Sequence, residues 1–307
     1  MTGALTEIRL VGGARGFNWL PIYVAQERGL FEKHGIALDV IPADGLEQAT
    51  DAVRDGEADL TVGPPEGAIA DCIAGGGLRV IAANAIRLPM SVVARPGIDS
   101  LADLRGKRIG TSSLREGTAI YTQVMLEPHG LHYPGDYEFV MAGIHTTRWN
   151  ALQNGEIDCA PQPAPWNFLA EDNGFNRLAE VSDAIPELIF AAILGRKDWL
   201  EANKDAVTRF LLALAQAHAF ANDPANEDTC VPIFRNVTTR DSESLARRGF
   251  AYMRDLGMWP PGLAVPDRAL ETTVDLMIRT GLLDEARRDA ALGVFDGSYL
   301  AAMGNGA

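Results

Sequence analysis

Gly16-Phe-Asn-Trp-Leu-Pro-Ile-Tyr-Val-Ala-Gln-Glu-Arg-Gly-Leu-Phe-Glu-Lys-His-Gly-Ile-Ala-Leu-Asp-Val40 is the stretch on which the fold turns. Leu20, Tyr23, Val24, Leu30 and Phe31 recur at helical spacing, so residues 20–34 are predicted to form a helix with one apolar face. Gly35 stands where a helix ends in a left-handed residue. Residues 37–41 then read as a strand, and residues 7–11 upstream alternate as another before running into Gly12-Gly13-Ala14-Arg15-Gly16. A strand, a helix and a second strand joined by short turns make the unit from which parallel sheets are built.

The alternation continues. Residues 46–55 form a helix stopped by Gly56, 60–62 a strand, 66–74 a helix stopped by Gly75-Gly76-Gly77, and 78–83 a buried strand. The pattern then restarts: strand 108–110, helix 117–129 ended by Gly130, strand 137–141, helix 148–154 ended by Gly155, strand 158–160, and a helix from Pro165. Asp55-Gly-Glu-Ala-Asp59 matches Asn154-Gly-Glu-Ile-Asp158, and Lys33-His-Gly-Ile36 answers Pro128-His-Gly-Leu131. One repetition is too few for a solenoid and indicates two similar α/β lobes. Residues 90–94 and 188–194 are apolar runs, broken by Arg95-Pro96-Gly97 and by Gly195, and are expected to carry the chain between the lobes. The expected division is lobe I from 1–92 and 194–307, lobe II from 93–193, and a cleft between them. The helical tail beyond Trp199 (204–222, 242–256 and 267–280) is expected to cover lobe I.

The 307 residues carry 41 acidic and 27 basic side chains, a net charge of −14, which disfavours nucleic acid and anionic membrane surfaces as partners. No apolar run is long enough to cross a bilayer, and 47% hydrophobic content without low-complexity tracts excludes a mainly disordered chain. Cys72, Cys159 and Cys230 show no CxxC or Cys/His spacing, so neither a disulfide framework nor a metal site is expected. The register of the repeat sets Cys159 opposite Leu60, which makes it a buried apolar residue and not a nucleophile. No dinucleotide fingerprint, Walker loop, HExxH or G-x-S-x-G occurs, so no cofactor is expected. The opening residues lack the basic and apolar regions of a secretory signal. The expectation is a cytoplasmic protein if Met1 is the native start, and a periplasmic one if a leader has been removed.

In open parallel sheets, ligands bind beyond the carboxyl ends of the strands. Here those ends are 12–19, 43–48 and 63–66 in the first pass, and 111–116, 142–147 and 160–166 in the second. If the lobes face each other, these loops meet across one cleft. Thr111-Ser112-Ser113 and Thr146-Thr147 precede expected helices, where hydroxyls cap and backbone N–H groups attract anions. Phe17, Trp19 and Trp166 are suited to stacking on a ligand, with a core role as the alternative, favoured for Trp19. Arg15 and Arg115 are suited to a bidentate hold on a carboxylate or sulfonate. His145 alone among the histidines falls on an expected cleft loop.

The stretch 16–40, together with Asp55-Gly-Glu-Ala-Asp-Leu-Thr-Val-Gly63 and Leu101-Ala-Asp-Leu-Arg-Gly-Lys-Arg-Ile-Gly110, resembles the type II periplasmic-binding-protein fold. The nearest subgroup binds aliphatic sulfonates, nitrate, taurine and thiamine-pyrimidine precursors. The likeness spans roughly residues 7–200. It implies two α/β lobes with mostly parallel sheets, helices on both faces and two hinge crossovers, closing over a small ligand, with an ABC importer as partner. Carried over by position, it implies ligand contacts from Phe17, Asn18, Gly63, Pro64, Ser112, Ser113, Thr146 and Gln162. Trp19, Glu66, Arg115, Thr147 and Trp166 join that set from their places in the same loops.

The expectation is therefore a monomeric solute-binding protein for a small anion (sulfonate, carboxylate or heteroaromatic), without catalytic residues, cofactor or metal. The rival is an intracellular enzyme of the same fold. The family's pyrimidine synthases carry a cysteine-rich cluster and its sulfinate desulfinase a cysteine on the first cleft loop, and both features are absent from this sequence. A decarboxylase or lyase acting on a small aromatic acid through His145 and Arg115 remains as the enzymatic alternative.

Overall fold

The computed structural model describes residues 4–13, 15–115 and 117–304. The deciding stretch folds with one difference from its reading. The helix is two, α1 (Leu20–Glu27) and α2 (Leu30–Lys33), because Gly29 takes a left-handed φ of +62° that breaks the backbone ladder between them. Strand β1 (Thr6–Gly12) precedes them and β2 (Ile36–Pro42) follows. Then come α3 (Leu46–Arg54), β3 (Leu60–Gly63), α4 (Glu66–Ile73) and β4 (Leu78–Ala85). The second pass comprises β5 (Met90–Ala94), β6 (Arg108–Thr111), α5 (Thr118–Leu126), β7 (Glu138–Met141), α6 (His145–Asn154), β8 (Cys159–Pro163), α7 (Trp166–Asp172), β9 (Asn176–Glu180), the single turn α8 (Val181–Ala184) and β10 (Ala191–Arg196). The remainder is helical: α9 (Lys197–Ala202), α10 (Lys204–Asn222), α11 (Glu227–Val237), α12 (Glu243–Asp255), α13 (Asp267–Arg279), α14 (Arg288–Leu292) and α15 (Ser298–Gly304).

The strands form two five-stranded sheets of matching design, ordered β2-β1-β3-β10-β4 and β7-β6-β8-β5-β9. In each, the first three strands pair in parallel, and the fourth, which arrives from the other half of the chain, is antiparallel to both of its neighbours. The chain leaves the first sheet after Ala85, enters the second at Met90, and returns at Ala191. The repeated motif has a structural counterpart. In the first lobe the backbone N–H and guanidinium of Arg9 both donate to Asp59; in the second, Arg108 does the same to Asp158. A further guanidinium N–H reaches the carbonyl of Gly56 or Gly155 respectively. The repeated motif thus ties one parallel strand of each sheet to the turn before its neighbour, β1 to β3 and β6 to β8.

Two apolar cores support the sheets, the larger one centred on β1, α1, α2 and α10, where Phe31 stacks on Phe210 at 5.3 Å. The C-terminal helices also reach the second lobe: Tyr252 of α12 donates to Glu180, and Arg279 of α13 pairs with Glu127. No helix among the described residues is long and apolar enough to cross a membrane.

Candidate functional site in the interlobe cleft

The carboxyl ends of the parallel strands in both sheets converge. Between them lies a cavity of about 50 Å3 with walls from three sources. The first lobe supplies Phe17, Asn18, Leu46 and Pro64; the second supplies Ser112, Gly117, Thr118, Ile144, His145, Arg148 and Pro163; Met90, which opens β5, and Phe190, which immediately precedes β10, come from the two crossovers. Larger depressions of about 720 and 730 Å3 flank it as open grooves on the outer surface, and neither is lined by both crossovers.

The strongest charge at the cavity is Arg148. It is 3% exposed; its Nε donates to the Pro161 carbonyl at 3.2 Å and its Nη1 to that of Gly143 at 2.9 Å. No carboxylate among the described residues pairs with it, and burial alone pushes the guanidinium down to about 10, so it stays charged at neutral pH. An unneutralised buried cation costs several kcal/mol unless something compensates it. Two helix N-termini add to the same field, because Gly117 and Thr118 open α5 while Ile144 and His145 open α6. His145 packs between aromatic rings, 5.9 Å from Phe17 and 4.2 Å from Trp166 between centroids. Burial, and secondarily the charge of Arg148, lower it to about 3, so at neutral pH the imidazole is uncharged. Phe17 stacks on Phe190 at 5.7 Å, and the Oδ1 of Asn18, a residue 6% exposed, has no hydrogen-bond partner. The site combines one fixed positive charge, helix-terminal N–H groups and apolar rings, a chemistry for a small anion with an apolar part.

Of the residues expected here, Phe17, Asn18, Pro64 and Ser112 line the cavity. Trp166 packs at a tilt against His145 and lines the outer groove together with Arg15. Gly63 ends β3 beside Pro64, and Glu66 opens α4 in the seam between the lobes. Trp19 is core: it is wholly buried and its indole N–H donates to the Val62 carbonyl at 3.1 Å. Gln162 is fully buried within β8, with neither amide atom partnered, and does not line the cavity.

The capping expectations are corrected. Helix α6 begins at His145 rather than 148, because the buried His145 and Arg148 extend it by a turn, so Thr146 and Thr147 are exposed first-turn residues. Thr147 donates to its own Ile144 carbonyl, and Ile144 is the residue before the helix. Gly117 precedes α5 without any side-chain cap. Ser113 donates instead across the cleft to Glu47 at 2.9 Å. Arg115 is exposed and lines the outer groove, so it and His145 occupy different spaces. Arg148 was not singled out from sequence, where it reads as the first residue of an ordinary solvated helix. Its one signal was the three-residue step from His145, which sets both on one helical face.

Comparison with known proteins agrees with this architecture. A model of the family described as NMT1/THI5 like matches residues 16–227. A Brucella abortus (strain 2308) protein, provisionally named a binding protein, is 29% identical over 235 residues, covering 74% of this chain and 70% of its own. Among solved structures, the periplasmic nitrate-binding protein NrtA from Synechocystis PCC 6803 superposes with a TM-score of 0.80 at 12% identity, over 98% of this chain and 89% of that one. The alkanesulfonate-binding protein SsuA from Xanthomonas axonopodis pv. citri, bound to MOPS, gives 0.76 at 16% identity over 97% and 99%. These likenesses show a shared fold.

Proposed function

The chain belongs to the NMT1/THI5-like family, and on that footing we propose that it is a solute-binding protein that captures a small anion between two closing lobes and delivers it to the permease of an ABC importer. The observation that carries the reading is Arg148, a buried guanidinium that no carboxylate among the described residues pairs with, in a cavity walled by both lobes and both crossovers. The names of the similar Brucella, nitrate-binding and alkanesulfonate-binding proteins support it, and favour a place on the outer face of the cytoplasmic membrane.

The anionic head would sit against Arg148 and the N-terminal turns of α5 and α6, with Ser112 and Asn18 as polar neighbours. Phe17, Phe190 and the uncharged His145 would cover its apolar part. A single fixed charge suits a singly charged head group. A thermal-shift series with nitrate, ethanesulfonate, benzoate and a hydroxymethylpyrimidine tests the reading. At least one anion should raise the melting temperature, and Arg148→Met should weaken it about tenfold or more, the worth of one charge-assisted hydrogen bond. A flat response to every compound, or a response that Arg148→Met leaves intact, would remove the anion-capture reading.

A further inference from the structure

Among the described residues, Glu66 is the one carboxyl in the seam with an orphaned oxygen, and its surroundings set it apart. It opens α4 in the first lobe and is 3% exposed. Its Oε1 accepts a long hydrogen bond, 3.4 Å, from the backbone N–H of Gly117 in the second lobe; its Oε2 is buried without a hydrogen-bond partner among the described residues. Gly117 is also a wall residue of the cavity, so Glu66 lies directly behind the solute space.

The charged groups around it do not neutralise it. On α3, Glu47 accepts from Ser113, and Asp51 is paired with Arg54 at 2.7 Å. On α4 itself, Asp71 accepts from the Leu78 N–H. Arg115 of the opposing loop is exposed and lines the same outer groove as Glu66, yet makes no ion pair with it among the described residues, and α13 contributes only the apolar Met277 to that groove. On the cavity side stand Arg148, held by backbone carbonyls, and the uncharged His145. A carboxylate buried with only backbone N–H groups to hold it and no paired cation is costly, whereas a protonated carboxyl is tolerated.

We propose that Glu66 is a proton-controlled latch across the cleft: the lobes shut over a solute only with Glu66 protonated, so capture takes up one proton and deprotonation drives opening. The proposal rests on the capture-by-closure reading above and names the regulation of that same site. Burial raises the carboxyl to about 7, against the N-terminal hydrogen bonds that pull the other way. In an open state, with Gly117 withdrawn and water admitted, it would return towards the ordinary carboxylate range near 4.3. The sign follows. A group whose affinity for protons is higher in the closed form favours closure at acid pH. That advantage is fully present below the open-state value and is lost as pH rises to about 7.

Small-angle scattering of the solute-free protein from about pH 5 to about pH 8 reads this out, with the closed-to-open ratio falling by up to about tenfold per pH unit in between. Glu66→Gln, which mimics the protonated acid and keeps its shape, should make the curve flat, with circular dichroism checking that the variant is folded. Glu47→Gln, altering the neighbouring cross-cleft contact, should shift the ratio equally at every pH and leave the slope in place. A wild-type curve without pH dependence, or a slope that survives Glu66→Gln, overturns the latch. Because no solute is added, either result leaves the anion reading standing on its own thermal-shift test.

Discussion

A single atom's worth of space shows how finely the cleft is fitted. A Cβ at Gly16 would lie 2.6 Å from Cε1 of His145, on the opposite lobe. The imidazole is held between Phe17 and Trp166 and has little room to give way. Gly16→Ala should therefore obstruct closure: solute-induced stabilisation measured by thermal shift should fall by more than half, while the solute-free protein melts close to wild type because its lobes can part. Residue identity was legible where chemistry and position coincide. Cys159 reads as buried from its register with Leu60, and it is wholly inaccessible, its thiol pushed well up by desolvation. Arg148 was not legible, because an arginine inside a helix looks solvated until a second lobe is known to cover it.

At the scale of elements, the two arginine–aspartate clamps organise each lobe. Arg108 holds the Asp158 carboxyl below its ordinary range by its side-chain hydrogen bond first, then by its backbone N–H and its charge, against desolvation. Arg108 is 40% exposed, so solvent screens much of the pair. Asp158→Asn should lower the midpoint of urea unfolding slightly at neutral pH. Since the folded-state value is depressed, the wild-type advantage is present above the unfolded carboxylate value near 3.9 and disappears as pH falls through the lower folded one. The glycine stops at 35, 56, 130 and 155 were legible because each needs a left-handed turn, and all four adopt one, with φ between 69° and 81°. The start of α6 was misread, because Thr146-Thr147 has the local signature of a cap while burial of His145 and Arg148 decides the boundary.

Across the whole molecule, the cavity sets the terms of entry. Its 50 Å3 is about a third of the roughly 150 Å3 that admits a benzene ring, so any ring-sized solute requires the lobes to part before they close on it. Met90 and Phe190 place both crossovers at the cavity wall, where a small rotation changes its width directly. If both lobes melt together, a solute at a hundredfold excess over its Kd should raise the unfolding free energy by about 2.7 kcal/mol, visible by calorimetry as one later transition. Two separate transitions, only one of them shifted, would show that the solute contacts a single lobe.

The order of apolar, glycine and charged residues was enough to establish two α/β units, their strand ends and the loops at the mouth of the cleft, because periodicity and turn chemistry are local properties of the chain. Which of those loop residues share a space, which cation is left without a counter-charge, and which carboxyl is trapped in the seam were decided only by folding. Desolvation and pairing depend on what the other lobe brings to within a few ångströms, from residues a hundred or so positions away in the chain.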